Sequence, residues 1–200
     1  MTLISHKHKF VFLANQKCGS TTLHEMLKPF SDKAYTFSVY QKPLGTHATA
    51  REVRKYLEKR NYNWDDYYVF TTIREPYSRI KSCYRYETDW KKHRDIVDLF
   101  IRTPKSFKRY VMEDWFFRRF IDINEFIGDE NKKSMIQQVI KMEDFDKEIP
   151  KLIEKLDLPL ELEEVPKTNV TNKSRSLGYD DEMIAHLKSF NFGDFDFYDE

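Results

Sequence analysis

An α/β fold, one domain with a short central parallel sheet flanked by helices on both faces, is what this 200-residue sequence predicts. Three stretches predict it. Phe10 to Ala14 is apolar without alternation, the pattern of a strand covered on both sides. A polar turn and a helix start follow it at once. Tyr67 to Ile73 is a second strand, rich in aromatic and β-branched residues, and it runs into a helix start at Pro76. Met135 to Met142, with Val139 and Ile140, supplies a third, and the amphipathic stretch Asp146 to Leu158 follows it. Strand, turn and helix in repeated order argue for a parallel sheet.

The length suits one domain over residues 1–200, long enough to bury a sizeable core. A hydrophobic content of 40% and an aromatic content of 16% argue against disorder. Lys plus Arg (34) nearly cancels Asp plus Glu (33), so no global field would draw nucleic acid or an acidic membrane. A local basic pocket remains open. No stretch approaches the ~18 apolar residues of a spanning helix. Met1 to Lys9 is short and polar, and the apolar run after it is too short for a secretion signal. Cys18 and Cys83 are the only cysteines and form no C-x-x-C, which suits a reducing compartment. A cytoplasmic location is therefore expected.

The first strand opens onto Gln16-Lys17-Cys18-Gly19-Ser20-Thr21-Thr22. Gly19 allows a tight turn and a close backbone approach. Ser20, Thr21 and Thr22 bring hydroxyls to a helix start, where free N–H groups and the helix dipole attract an anion. Lys17 adds a charge. A phosphate- or sulfate-binding loop fits, and so does an ordinary strand followed by a capped helix. The order is P-loop-like without being a Walker A sequence, because Lys17 precedes Gly19.

The helix from Ser20 carries Leu23, Met26 and Leu27 on one face, and Pro29 ends it. Ser31 to Pro43 suits a short strand or an extended loop. Ala50, Val53 and Leu57 mark a second helix, capped by Thr46 or Thr49. His47 sits at its start, as a surface or packing residue or as a working one. Arg74 lies at the carboxyl end of the second strand, where open α/β sheets bind ligands, and its planar fork suits a phosphate. Arg79, Ser82 and Tyr86 share faces of the next helix by their spacing. The plain alternative is a surface Arg before a charge-paired helix. Both strand ends nonetheless bring cations and hydroxyls together, and one ligand with two separated anionic groups accounts for both.

Asp95 to Phe120 reads as helical, with stripes Ile96, Leu99, Phe100 and Phe107, Tyr110, Val111, Trp115 that suit core packing. Pro166 to Ser176 is a polar, basic loop in which Lys173, Ser174 and Arg175 close over an anion or form a solvated linker. Asp180 to Phe190 is a last helix. Phe192 to Glu200 alternates Phe and Asp, its aromatics docking on the body. No His/Cys/Asp cluster has metal-ligand spacing, so no metal is expected.

Together these stretches resemble the sulfotransferase family, specifically its carbohydrate-type, family 2-like branch. Gln16 to Thr22 resembles the family's loop for the 5′-phosphosulfate of PAPS (3′-phosphoadenosine 5′-phosphosulfate). Ile73-Arg74-Glu75-Pro76-Tyr77-Ser78-Arg79-Ile80-Lys81-Ser82-Cys83-Tyr84 is similar to its 3′-phosphate motif, Arg-x-Pro-x-x-Arg-x-x-Ser-x-Tyr. His47 to Ala50, Trp64 to Phe70, Lys141 to Phe145 and the terminal Asp194 to Tyr198 also look like the family, so the resemblance covers nearly the whole chain.

The resemblance implies sulfuryl transfer from PAPS, leaving PAP, to an acceptor hydroxyl, more of a saccharide than of a small phenol. Lys17 would neutralise charge on the oxygen bridging sulfate and phosphate, and Cys18, Gly19, Ser20, Thr21 and Thr22 would hold the 5′-phosphate. Arg74 and Ser82 would hold the 3′-phosphate. Some carbohydrate sulfotransferases use a His before the second motif as general base, and His47 is the candidate here; Glu87 and Asp89 are weaker ones. Eukaryotic carbohydrate enzymes of the family usually carry an amino-terminal membrane anchor that is missing before Lys9, which again favours the cytoplasm. Two rival readings stand beside this one. A P-loop kinase or NTPase meets the wrong Lys–Gly order and a second strand that ends Thr72-Ile73-Arg74 with no Asp for magnesium. A non-catalytic nucleotide-binding protein of the same fold meets the retention of Lys17.

Overall fold

The computed structural model describes residues 1–34, 44–88, 104–161 and 176–199. Its strands are β1 (Leu3–Ser5), β2 (Phe10–Leu13), β3 (Lys33–Ala34), β4 (Tyr68–Ile73) and β5 (Gln138–Lys141). Its α-helices are α1 (Ser20–Leu27), α2 (Ala50–Glu58), α3 (Pro76–Thr88), α4 (Phe107–Met112), α5 (Ile123–Ile127), α6 (Phe145–Lys155), α7 (Asp181–Lys188) and α8 (Gly193–Asp199). The chain divides into two compact units, one of Met1–Arg74 with Ile123–Asn169 and one of Glu75–Asp122 with Val170–Glu200.

The first unit holds the whole sheet, in the order β3-β1-β2-β4-β5. The expected parallel core is β2, β4 and β5, with Leu13 beside Thr71 and Ile73 beside Lys141. Two antiparallel strands extend it past β2, β1 (Leu3 beside Phe12) and β3. The reading of Met1 to Lys9 as a plain polar end is thereby corrected. Leu3, Ile4 and Ser5 are fully buried, and a three-residue strand is too short to leave a periodic trace in the sequence.

Alternation along the strands sorts the core. Leu3, Phe10, Phe12, Ala14, Phe70 and Ile140 form one cluster with Leu23, Met26 and Leu27 of α1 and Ile149, Leu152 and Ile153 of α6. Each such side chain taken fully out of water contributes about 1.5–3 kcal/mol. The intervening Val11, Leu13, Val69, Thr71 and Ile73 are equally buried, so the other face is covered too. Unbroken apolar runs are the price of that double burial.

The second unit packs α3, α4, α7 and the residues before α8 around Ile80, Cys83, Tyr84, Tyr110, Phe116, Phe120 and Leu187. Helical text expected through Phe120 is broken here. The α4 helix stops at Met112, and Asp114 (φ 57°) turns the chain left-handed before the 3₁₀ turn Trp115–Arg118. Asp tolerates that region better than most residues. The part before Pro104 lies outside the described residues. The terminal alternation of Phe and Asp, which has the period of a strand, is instead helix α8, with Asp194 fully buried. No helix among the described residues is long and apolar enough to cross a membrane.

Candidate functional site

The carboxyl ends of β2, β4 and β5 share one edge of the sheet, the edge at which open α/β folds bind ligands. The loop after β2 turns left-handed twice, at Lys17 (φ 61°) and Gly19 (φ 74°). Gly19 is the N-cap of α1, and no side chain caps that helix. No side chain neutralises the positive end of the dipole or takes the Ser20 and Thr21 amides, while the Thr22 N–H donates to the Gly19 carbonyl at 3.1 Å. A Cβ at residue 19 would lie 2.8 Å from Cε2 of Phe145 and 3.0 Å from Cγ of Met142. The segment after β5 thus packs against the loop and leaves room only for glycine.

Ser20 is half-buried, Thr21 exposed and Thr22 buried. The buried Cys18 thiol lies 3.2 Å from the Gln16 carbonyl oxygen, its acceptor. The Cys18 side chain is thus engaged inside the protein.

His47 joins this loop. Its Nδ1 lies 2.6 Å from the carbonyl oxygen of Ala14, the residue that ends the first strand's apolar run. A carbonyl can only accept, so Nδ1 carries the hydrogen and Nε2 is the basic nitrogen of the neutral ring. The turn bearing His47 is also held from the residue before β1, where the Thr2 N–H (3.1 Å) and hydroxyl (3.3 Å) both donate to the Thr46 carbonyl. Beyond it, Thr49 and Glu52 form a reciprocal capping box on α2.

Arg74 follows β4 at the same sheet edge, half-buried, and its Nε is buried with no partner among the described residues. The Thr72 hydroxyl, two residues earlier, is likewise buried and unmatched. Buried polar groups are ordinarily satisfied, and two unmatched atoms two residues apart give this strand end the polar capacity to hold a ligand. His24, one turn into α1, has a buried, unmatched Nε2 as well, and burial pushes its pKa down to about 4.

Ser82 belongs to the second unit, buried on α3. The N-terminus of α3 differs from that of α1, because Glu75 fills it. The Glu75 carboxylate accepts from the N–H of Tyr77 (2.9 Å) and of Ser78 (2.7 Å). Sequence reading missed this cap, although an acid directly before a Pro at the first helical position signals it. Arg79 is wholly buried and bound to Asp194 at 2.5 Å. Glu87 is wholly buried beside Arg119 at 3.2 Å; burial raises its carboxyl pKa and the guanidinium opposes the rise. It serves the interior of the second unit. Asp89, Lys173, Ser174 and Arg175 lie outside the described residues. Among the described residues no group of three or more His, Cys, Asp or Glu could hold a metal ion.

Compared with known proteins, the chain matches the family model described as "Sulfotransferase family" over residues 1–199. No curated protein and no solved structure matches it.

Proposed function

Because the chain belongs to the sulfotransferase family, we propose that it transfers a sulfuryl group from PAPS to an acceptor hydroxyl, that of a carbohydrate, in a single domain spanning both units. The observation that carries this is the start of α1, which no side chain caps, together with a His from the turn before α2 whose Nδ1 is held by the Ala14 carbonyl at the end of the strand feeding that helix. A phosphosulfate suits the first, and a hydroxyl to be deprotonated suits the second.

The roles follow from charge. The first-turn amides and hydroxyls from Gly19 to Thr22, with the Cys18 amide, receive the 5′-phosphate. As the acceptor oxygen attacks sulfur in line, its proton passes to Nε2 of His47. The bond from sulfur to the phosphate oxygen breaks, and the Lys17 ammonium stabilises the charge left on that oxygen. The products are a sulfate ester and PAP, and His47 returns its proton to solvent. Arg74 and Ser82 take the 3′-phosphate, with Lys173, Ser174 and Arg175 as further anion contacts. The unmatched Nε of Arg74 supports that assignment. That Cys18 and Cys83 are buried and form no disulfide is in keeping with a cytoplasmic location.

Calorimetry with PAP, then incubation with PAPS and a panel of saccharides, tests the proposal. PAP binds more tightly than 5′-AMP, and a sulfated saccharide forms. His47→Ala lowers kcat by about 10²–10⁴-fold with PAP affinity unchanged. Absence of PAP binding overturns the donor assignment.

A further inference from the structure

The start of α3 is gripped more heavily than helix stability requires. Besides the Glu75 cap, the Tyr179 hydroxyl donates to the Tyr77 carbonyl at 2.8 Å. The rings of Tyr179 and Phe195 meet the Tyr77 ring edge-on, at 5.0 and 5.2 Å. Two residues on, the Arg79 guanidinium reaches Asp194 at 2.5 Å and the Ile121 carbonyl at 3.3 Å, and it lies 4.1 Å from the centre of the Phe120 ring. Both members of the ion pair are fully buried. The beginning of α8 is itself anchored, since the Gly193 N–H donates to Asp122 at 2.6 Å.

The Arg79 guanidinium is thus consumed inside its own unit. An arginine in that position of the motif has no fork left for a phosphate. What it does fix is the rotation and height of α3 one turn before Ser82, because residues three apart share a helix face. The chain supplies the other half of that fixture from 115 residues away.

We propose that Asp194 is a positioning residue for the 3′-phosphate contact, acting through Arg79 to set Ser82 on α3, with Asp122 securing Asp194 in turn. This rests on the assignment of Ser82 to the 3′-phosphate under the proposed function. A pair that served stability alone would leave the balance between nucleotides untouched. A pair that sets Ser82 controls how much a 3′-phosphate adds to affinity.

The experiment is calorimetry of PAP and of 5′-AMP with the full chain and the variants Asp194→Asn and Asp122→Ala, each checked for folding by thermal melting. The parent prefers PAP by about 100-fold, the order of one or two charge-assisted hydrogen bonds. Asp194→Asn cuts that preference about tenfold and leaves 5′-AMP affinity unchanged. Asp122→Ala, which leaves the ion pair's own atoms in place, cuts it by less in the same direction. A parent with no preference for PAP overturns the 3′-phosphate assignment itself. A parent with the preference and a folded Asp194→Asn that keeps it overturns the positioning role alone. Should Asp194→Asn fail to fold, Asp122→Ala decides: a reduced ratio supports the role and an unchanged one overturns it.

Discussion

Helices α1 and α3 look alike in the sequence, each a strand end, a cation, a turn and a helix start with hydroxyls. Their first turns are built for different purposes. The α1 helix begins on Gly19 with no side-chain cap, whereas α3 begins under the carboxylate of Glu75, which takes two of its amides. The helix dipole has the same sign in both, and only at α3 does a carboxylate of the chain itself meet it. An anion at α1 meets backbone amides. At α3 the Tyr77 and Ser78 amides are occupied by Glu75, which is why the proposed 3′-phosphate assignment falls on side chains and not on amides.

The largest expected effect comes from removing the charge that goes with the open helix. Lys17→Ala lowers kcat by about 10²–10³-fold, measured as single-turnover transfer from PAPS, with a smaller change in PAP affinity. A rate within threefold of the parent would detach Lys17 from the leaving group. Next, Ser20→Asp gives α1 the carboxylate that α3 already has. It stabilises the protein by about 0.5 kcal/mol in urea titrations, yet weakens PAP binding roughly 100-fold, because two anions then share one helix end. Opposite signs in the two measurements are the signature; equal losses in both would mean simple misfolding.

A third test uses pH. His24 has a folded pKa of about 4, below its ordinary value, because burial disfavours its charged form. The unfolded chain then binds more protons than the folded one between about pH 6.5 and pH 4. Stability falls as pH drops through that window, by at most about 1.4 kcal/mol per pH unit, and His24→Gln flattens the curve. The smallest effect is at the closed helix. Glu75→Ala removes the cap of α3 and costs about 1 kcal/mol by urea unfolding, with a smaller effect on PAP affinity than Ser20→Asp.

What was legible in the sequence follows from range. The runs Phe10 to Ala14 and Tyr67 to Ile73 declare buried strands because burial on both faces is written residue by residue. The loop from Gln16 to Thr22 is local too, and so is its meaning. The third strand proved shorter than the expected Met135 to Met142, because only Gln138–Lys141 pairs with β4. Strand β1 was silent for want of length. The pairing of Arg79 with Asp194 spans 115 residues and the bond from His47 to Ala14 spans 33; no periodicity or spacing encodes either. Position near a helix start hinted at His47, while the carbonyl that fixes its tautomer required the fold.

One bond has a kinetic side. The turn that bears His47 hangs by its Thr46 carbonyl from Thr2, and Thr2 precedes a strand of only three residues. Short strands open more often than the core they adjoin. Each opening of β1 loosens the hold on the Thr46 carbonyl while the Ala14 bond to the imidazole belongs to β2's end, so the exchange rate of the Thr2 amide with deuterated solvent is a clock for how often the turn bearing His47 comes loose. The mobility of the turn thereby becomes readable at a backbone amide 44 residues away in the chain.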